Sequence, residues 1–333
     1  MNRRTSLQTI IAYLGIQVFS PALLSGCMPA EPVYGYHHSY DKLVAKLGIP
    51  EAYREKAKFI IDITDFGNNV LGLNSKDNFS RYEKDKINYL LFACKPFQIA
   101  DSYSSQEVSQ YLLFTDKKKF EAEVAKLKAQ GYDVSTRTGI VATAAQMTND
   151  FLQRELSDIL STALHENMHN TINVTERLAE PIASVVEYQG LELYLLERAP
   201  KHAATELKRR ARQREHYLKG RRTAVIKAAE RLEELYNSRL PIERKAKDKE
   251  IILENLRREM EAAHQGAYGT HGDVGKLNNA NVTDLITYSK YYADAEAVLT
   301  ASTGLPAAIK VYKKVPYDLS EGLSFLRAHH KKK

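Results

Sequence analysis

Cysteine is nearly absent from this 333-residue chain: the two present, Cys27 and Cys94, cannot build the disulfide framework that stabilises small secreted domains. A long apolar run is missing too. The stretch over residues 10–24 is interrupted by Gln17, Ser20 and Pro21, which excludes it as a membrane-spanning helix. Tracts of biased composition are lacking, and 44% hydrophobic content over this length can bury a sizeable core, as one large domain or two sublobes. The Gly-rich loop at residues 266–275 (GAYGTHGDVG) is too irregular to cradle phosphate, and no histidine pattern partners Cys94 for nucleophilic catalysis.

What is present begins at the amino terminus. Arg3 and Arg4 precede the modest apolar run, the layout of an export signal over residues 1–26. Its end, Leu24-Ser25-Gly26-Cys27, resembles the lipobox of bacterial lipoproteins, in which small residues admit the signal peptidase and the cysteine thiol takes the lipid. Cys27 is therefore the expected lipidation site, and residues 27–39 a tether from it. Loss of the signal takes both arginines and lowers the formal charge from +7 to +5. Cys94 is then the one remaining thiol, flanked by Phe92-Ala93 and Pro96-Phe97 and expected to pack as a small hydrophobe.

Residues 161–190 carry the chemistry. They contain His165-Glu166-Asn167-Met168-His169, a complete His-Glu-x-x-His. Four residues apart on a helix, the two imidazoles lie one above the other, the separation needed to share one metal ion. Zinc is the natural occupant, one per chain. Two imidazoles leave a tetrahedral site short of ligands, and Glu180 is the best candidate for the third. The intervening residues allow the helix to end near residues 170–173 and a second helix to carry the carboxylate back, with Pro181 in its first turn. Glu166 is turned from His165 by about 100°, so it reaches a water in the open fourth position without ligating the metal. That is the place of a general base. Ser184, one turn past Glu180, is a candidate partner for a ligand.

These residues are similar to the gluzincin zinc peptidases, and most of the chain beyond the signal resembles one bacterial family among them, the lipoprotein-type predicted aminopeptidases. The matching segments are Ala179-Glu180 with Ala183-Ser184 and Val186-Glu187 up to Gly190; Leu71-Gly72-Leu73 up to Tyr82; Gly131-Tyr132-Asp133-Val134; Leu235-Tyr236 with Leu240-Pro241; and Leu277-Asn278-Asn279-Ala280 with Thr287-Tyr288. Ala179 stands where the family has Asn. The resemblance implies an α+β, predominantly helical fold, with a small sheet on the zinc-binding helix and a long helical C-terminal region. It implies aminopeptidase activity on peptide substrates, and Tyr288 as the donor that stabilises the oxyanion.

Periodicity fills in the rest. Helices are expected over residues 41–47, 50–71, 116–130, 156–171, 201–238, 241–264 and 282–301, and strands over 87–93, 111–114 and 132–136. The implied organisation is an α/β sublobe at 40–148, zinc-binding helices at 149–198, a helical region at 199–325 and a basic tail at 326–333. Residues 208–222 are dense in Lys and Arg, yet acidic residues recur and no aromatic stacking pattern appears, so the run reads as a solvated, ion-paired face and not a nucleic-acid site. The composite expectation is a zinc peptidase of the bacterial cell envelope, lipid-anchored through Cys27. The rivals are an inactive zinc-bearing lipoprotein that binds a peptide or protein partner, and a structural lipoprotein in which the motif is incidental.

Overall fold

The computed structural model describes residues 40–99, 111–139, 145–198 and 201–330; Cys27, its signal and its tether lie outside them. In chain order the elements are helices α1 (Asp41–Lys46) and α2 (Arg54–Phe66), strands β1 (Asn88–Cys94) and β2 (Leu112–Phe114), α3 (Lys117–Ala129) and β3 (Asp133–Gly139). There follow α4 (Asn149–Leu152), α5 (Leu156–His169), α6 (Glu176–Glu197), α7 (Lys201–Asn237), α8 (Ile242–Tyr268), α9 (Asn279–Thr287), α10 (Tyr292–Ala301), α11 (Leu305–Tyr312) and α12 (Leu319–His330). The fold is α+β and predominantly helical. Among the described residues no helix is long and apolar enough to cross a membrane.

The chain divides into two compact units, each assembled from separated stretches. One contains Ile87–Gly139 and His216–Ser289. Its sheet is antiparallel in the order β2-β1-β3, with Tyr89 opposite Thr138 and Leu90 opposite Leu113. Consecutive residues Leu90 to Cys94 are all buried, the signature of a strand covered on both faces. Alternation divides the work: Tyr89 stacks on Phe120 of α3 (5.0 Å between rings), while the thiol of Cys94 meets Thr283 of α9. Burial pushes that thiol up to about 12, as befits an inert packed cysteine.

In the same unit α7 and α8 pair through Val225, Ala228, Leu232 and Leu235 against Ile252, Leu253, Leu256 and Met260. A polar knot ties α9 to the sheet. Asn279, fully buried, donates to the carbonyl oxygen of Pro96 (2.7 Å) and accepts from Tyr236 (2.7 Å), while Lys249 bridges Asp133 (2.6 Å) and the same Pro96 oxygen (3.0 Å). Three of the family-like segments therefore meet here in structural bonds. The ion-paired face expected of the basic run is present in α7, where Arg209 and Arg210 both reach back to Glu206.

The second unit contains residues 40–86, 145–215 and 290–330 among those described. Its core is formed by Phe59, Ile60, Ile63 and Phe66 of α2, by the apolar faces of α5 and α6, and by Val298, Ile309, Tyr312 and Leu326 from the last three helices. Helices α5 and α6 form an antiparallel hairpin. Gly190 makes their approach possible, since a Cβ there would lie 2.8 Å from Leu164 and 3.2 Å from Leu71. Asp62, 1% exposed, is satisfied by the Tyr194 hydroxyl (2.7 Å) and by Arg198 (3.0 Å).

Several boundaries differ from the periodicity. The helix expected to end at 264 continues to Tyr268 and stops at Gly269, whose φ of 73° is the left-handed exit that glycine takes without strain. The helix expected over 282–301 is two, α9 and α10. The first starts earlier because Asn278 and Asn281 form a reciprocal capping box. Helix α12 runs into the stretch expected to be a basic tail, as far as His330, and buries Leu326 in the core.

Candidate metal centre

The centre forms between α5 and α6. Helix α5 is buried along most of its length, from Leu156 through Met168, which suits a helix that carries its ligands into a desolvated place. The loop after Gly72 braces its far end: Asn78 donates to Asn167 (3.1 Å), Asn170 donates to the Ser75 carbonyl (3.2 Å), and the Asn74 amide donates to Thr171 (2.8 Å). Helix α6 is capped by Thr175, whose hydroxyl accepts from the Arg177 amide (3.2 Å). It begins at Glu176, four residues before Glu180, so Glu180 stands in its second turn. Pro181 is thus inside the helix and not in its first turn, where it was expected; it brings no N–H to the preceding turn.

The two imidazoles and the distant carboxylate meet. His165 Nε2 lies 3.1 Å from Glu180 Oε2, His169 Nε2 lies 3.4 Å from Glu180 Oε1, and the ring centroids are 4.8 Å apart. One ligand atom from each residue falls within 4.8 Å of the others, so the three can hold a metal ion. Their side chains are only 11–14% exposed, which makes neighbouring charges strong.

Burial alone disfavours a charged His165, but hydrogen bonds to Glu180 and Glu187, with their charges, outweigh it and hold the ring well above its usual pKa. For Glu180 burial works upward, and the two imidazoles pull the carboxyl well below the usual range. Glu166 is different. It is 7% exposed, burial raises its pKa over the pull of both histidines, and its carboxylate accepts no hydrogen bond from any described residue. A buried carboxylate so placed keeps its acceptor capacity for something else.

Glu187 had been given no role by the sequence. Its Oε2 lies 2.7 Å from His165 Nδ1, the bond that turns the other ring nitrogen, Nε2, toward the centre. Burial opposes its charge, yet Arg214 and His165 hold it down at about 2. The available signal was spacing: Glu187 follows Glu180 by about two helical turns and so shares its face. Ser184, half-buried, makes no hydrogen bond to His165, His169 or Glu180. Tyr288 belongs to the other unit, where it ends α9 and its hydroxyl accepts from Arg137 (2.9 Å). Cys27 lies outside the described residues.

A model of the family described as "Putative aminopeptidase" matches residues 33–309. The chain belongs to this aminopeptidase family. The match takes in both helices of the metal centre and every segment on which the family likeness was first drawn. For this aminopeptidase-family chain no curated protein and no solved structure gives a match.

Proposed function

We propose that this chain is a zinc-dependent aminopeptidase in which His165, His169 and Glu180 hold the ion and Glu166 is the general base. The observation that carries the reading is the convergence of two ring nitrogens and one carboxylate beside a second, unligated, buried carboxylate. The two ring nitrogens each face an oxygen of Glu180, at 3.1 and 3.4 Å, and one ligand atom from each residue lies within 4.8 Å of the others, a group compact enough for one ion. A nitrogen-rich set with one carboxylate is also the donor chemistry of catalytic zinc sites.

When bound, zinc supplies a Lewis acid that polarises the scissile carbonyl and brings a water's pKa near 7. The chain does the rest. Glu166, buried and accepting no hydrogen bond from any described residue, takes the proton of the attacking water and returns it to the leaving amine. Glu187 holds His165 in one tautomer and orientation. Tyr288 is proposed as oxyanion donor on the family likeness alone. By the family likeness the protein's substrates are peptides; by the lipobox ending at Cys27 it works lipid-anchored in the bacterial envelope; and the ion-paired pattern of the basic run argues against a nucleic-acid partner.

The test uses protein lacking residues 1–26. Metal analysis is expected to return about one zinc per chain, and cleavage mapping on mixed peptides to show loss of N-terminal residues that stops with a chelator. Zinc without turnover on a broad peptide library would support the inactive partner-binding lipoprotein instead. Absence of stoichiometric metal would leave a structural protein with an incidental motif.

A further inference from the structure

Arg214 stands in the basic run of α7 that reads, by composition, as solvent-facing. Its surroundings differ from those of its neighbours. Arg209 and Arg212 are 52% and 72% exposed, whereas Arg214 is 25% exposed and turned inward. Its Nε lies 3.0 Å from Asp158 Oδ1 and its Nη1 2.9 Å from Glu187 Oε1.

Those two acids belong to the two helices of the metal centre. Asp158 lies in the first turn of α5, about two turns before His165 on the same face, and Glu187 lies about two turns after Glu180 on α6. The guanidinium thus bonds one carboxylate on each ligand-bearing helix. Glu187 divides its oxygens: Oε1 takes Arg214, and Oε2 takes the Nδ1 of His165.

We infer that Arg214 is a positioning residue for the metal centre, clamping α5 to α6 through Asp158 and Glu187 and so fixing the carboxylate that orients His165. The inference rests on the proposed metal reading. A planar fork is required because the two acids lie on different helices and are met by different nitrogens. Without it Glu187, 7% exposed, keeps only its imidazole bond and is free to rotate, and the His165 ring with it.

The experiment loads wild type and variants with cobalt(II), a zinc surrogate with a visible spectrum. It records that spectrum and the affinity by competition with a chelator. Arg214→Gln is expected to lower affinity about 10–100-fold, the usual cost of losing support to a metal-binding histidine, and to shift the spectrum. Arg214→Lys should recover part of the affinity. Asp158→Asn, which removes one arm of the clamp at an exposed helix end, should shift the spectrum in the same direction by less. Arg212→Gln should behave as wild type. If wild type binds cobalt and Arg214→Gln binds it equally, with an unchanged spectrum, the inference is overturned while the metal reading stands. If wild type binds none, both fall. If Arg214→Gln does not fold, Asp158→Asn decides, and an unaltered spectrum and affinity there overturn the clamp.

Discussion

Replacing Glu166 by Gln should separate stability from activity. The carboxylate is 7% exposed and accepts no hydrogen bond from any described residue, so the near-isosteric amide breaks no native bond and leaves the three ligands untouched. Burial raises this carboxyl against the pull of His165 and His169. A carboxyl whose pKa is higher folded than unfolded weakens the fold increasingly as pH rises from its unfolded value through its folded one. The amide has no charge to desolvate, so the melting temperature of chelator-stripped Glu166→Gln at neutral pH should equal or exceed that of wild type. Turnover moves the other way. Loss of a general base costs about 10²–10⁴-fold, or about 2.7–5.5 kcal/mol of barrier, and should fall on kcat with KM little changed. The assay pairs steady-state hydrolysis of an aminoacyl amide with metal analysis and thermal unfolding on the same preparations. In wild type the acid limb of kcat/KM should report the deprotonation of this carboxyl, and in the variant it should vanish. A variant that keeps its zinc and turns over within about threefold of wild type would refute the assignment, since no general-base loss is that small.

Gly190→Val should destabilise the second unit by about 1–3 kcal/mol, because the new side chain enters occupied space beside Leu164 and Leu71; the denaturant midpoint measures it. Metal affinity should fall as pH is lowered. His165 holds a proton well above its usual pKa, so binding must displace one, and chelator competition at pH 8 and pH 6 reads the difference. Tyr194→Phe removes one of the two described partners of fully buried Asp62 and should cost about 1–3 kcal/mol by thermal unfolding. In protein carrying Cys27→Ser, Cys94 should resist thiol reagents until the fold is lost, its thiol being 5% exposed and pushed up to about 12.

Local signals read well where one stretch of chain decides the outcome. The short β-like run around Leu90, the charged helix expected from residue 116 and the four-residue spacing of His165 and His169 are such cases, and the elements stand close to where they were expected. Caps that depend on side-chain bonds shifted the ends. Thr175 starts α6 one turn before Glu180, and the Asn278–Asn281 box starts α9 ahead of its apolar residues.

By itself the sequence determined the helix that carries the His-Glu-x-x-His motif, the distant glutamate that joins the two histidines in a group able to hold a metal ion, and the family. Helical periodicity and a three-letter spacing are properties of neighbours along the chain. The partner of the His165 ring, the inward turn of Arg214 and the assembly of each unit from separated stretches were decided only by tertiary packing. Glu187 and Arg214 look like any other charged helical residues until Gly190 lets α6 close on α5 and burial takes water away from them. Only then does each charge have to find its bond inside the protein.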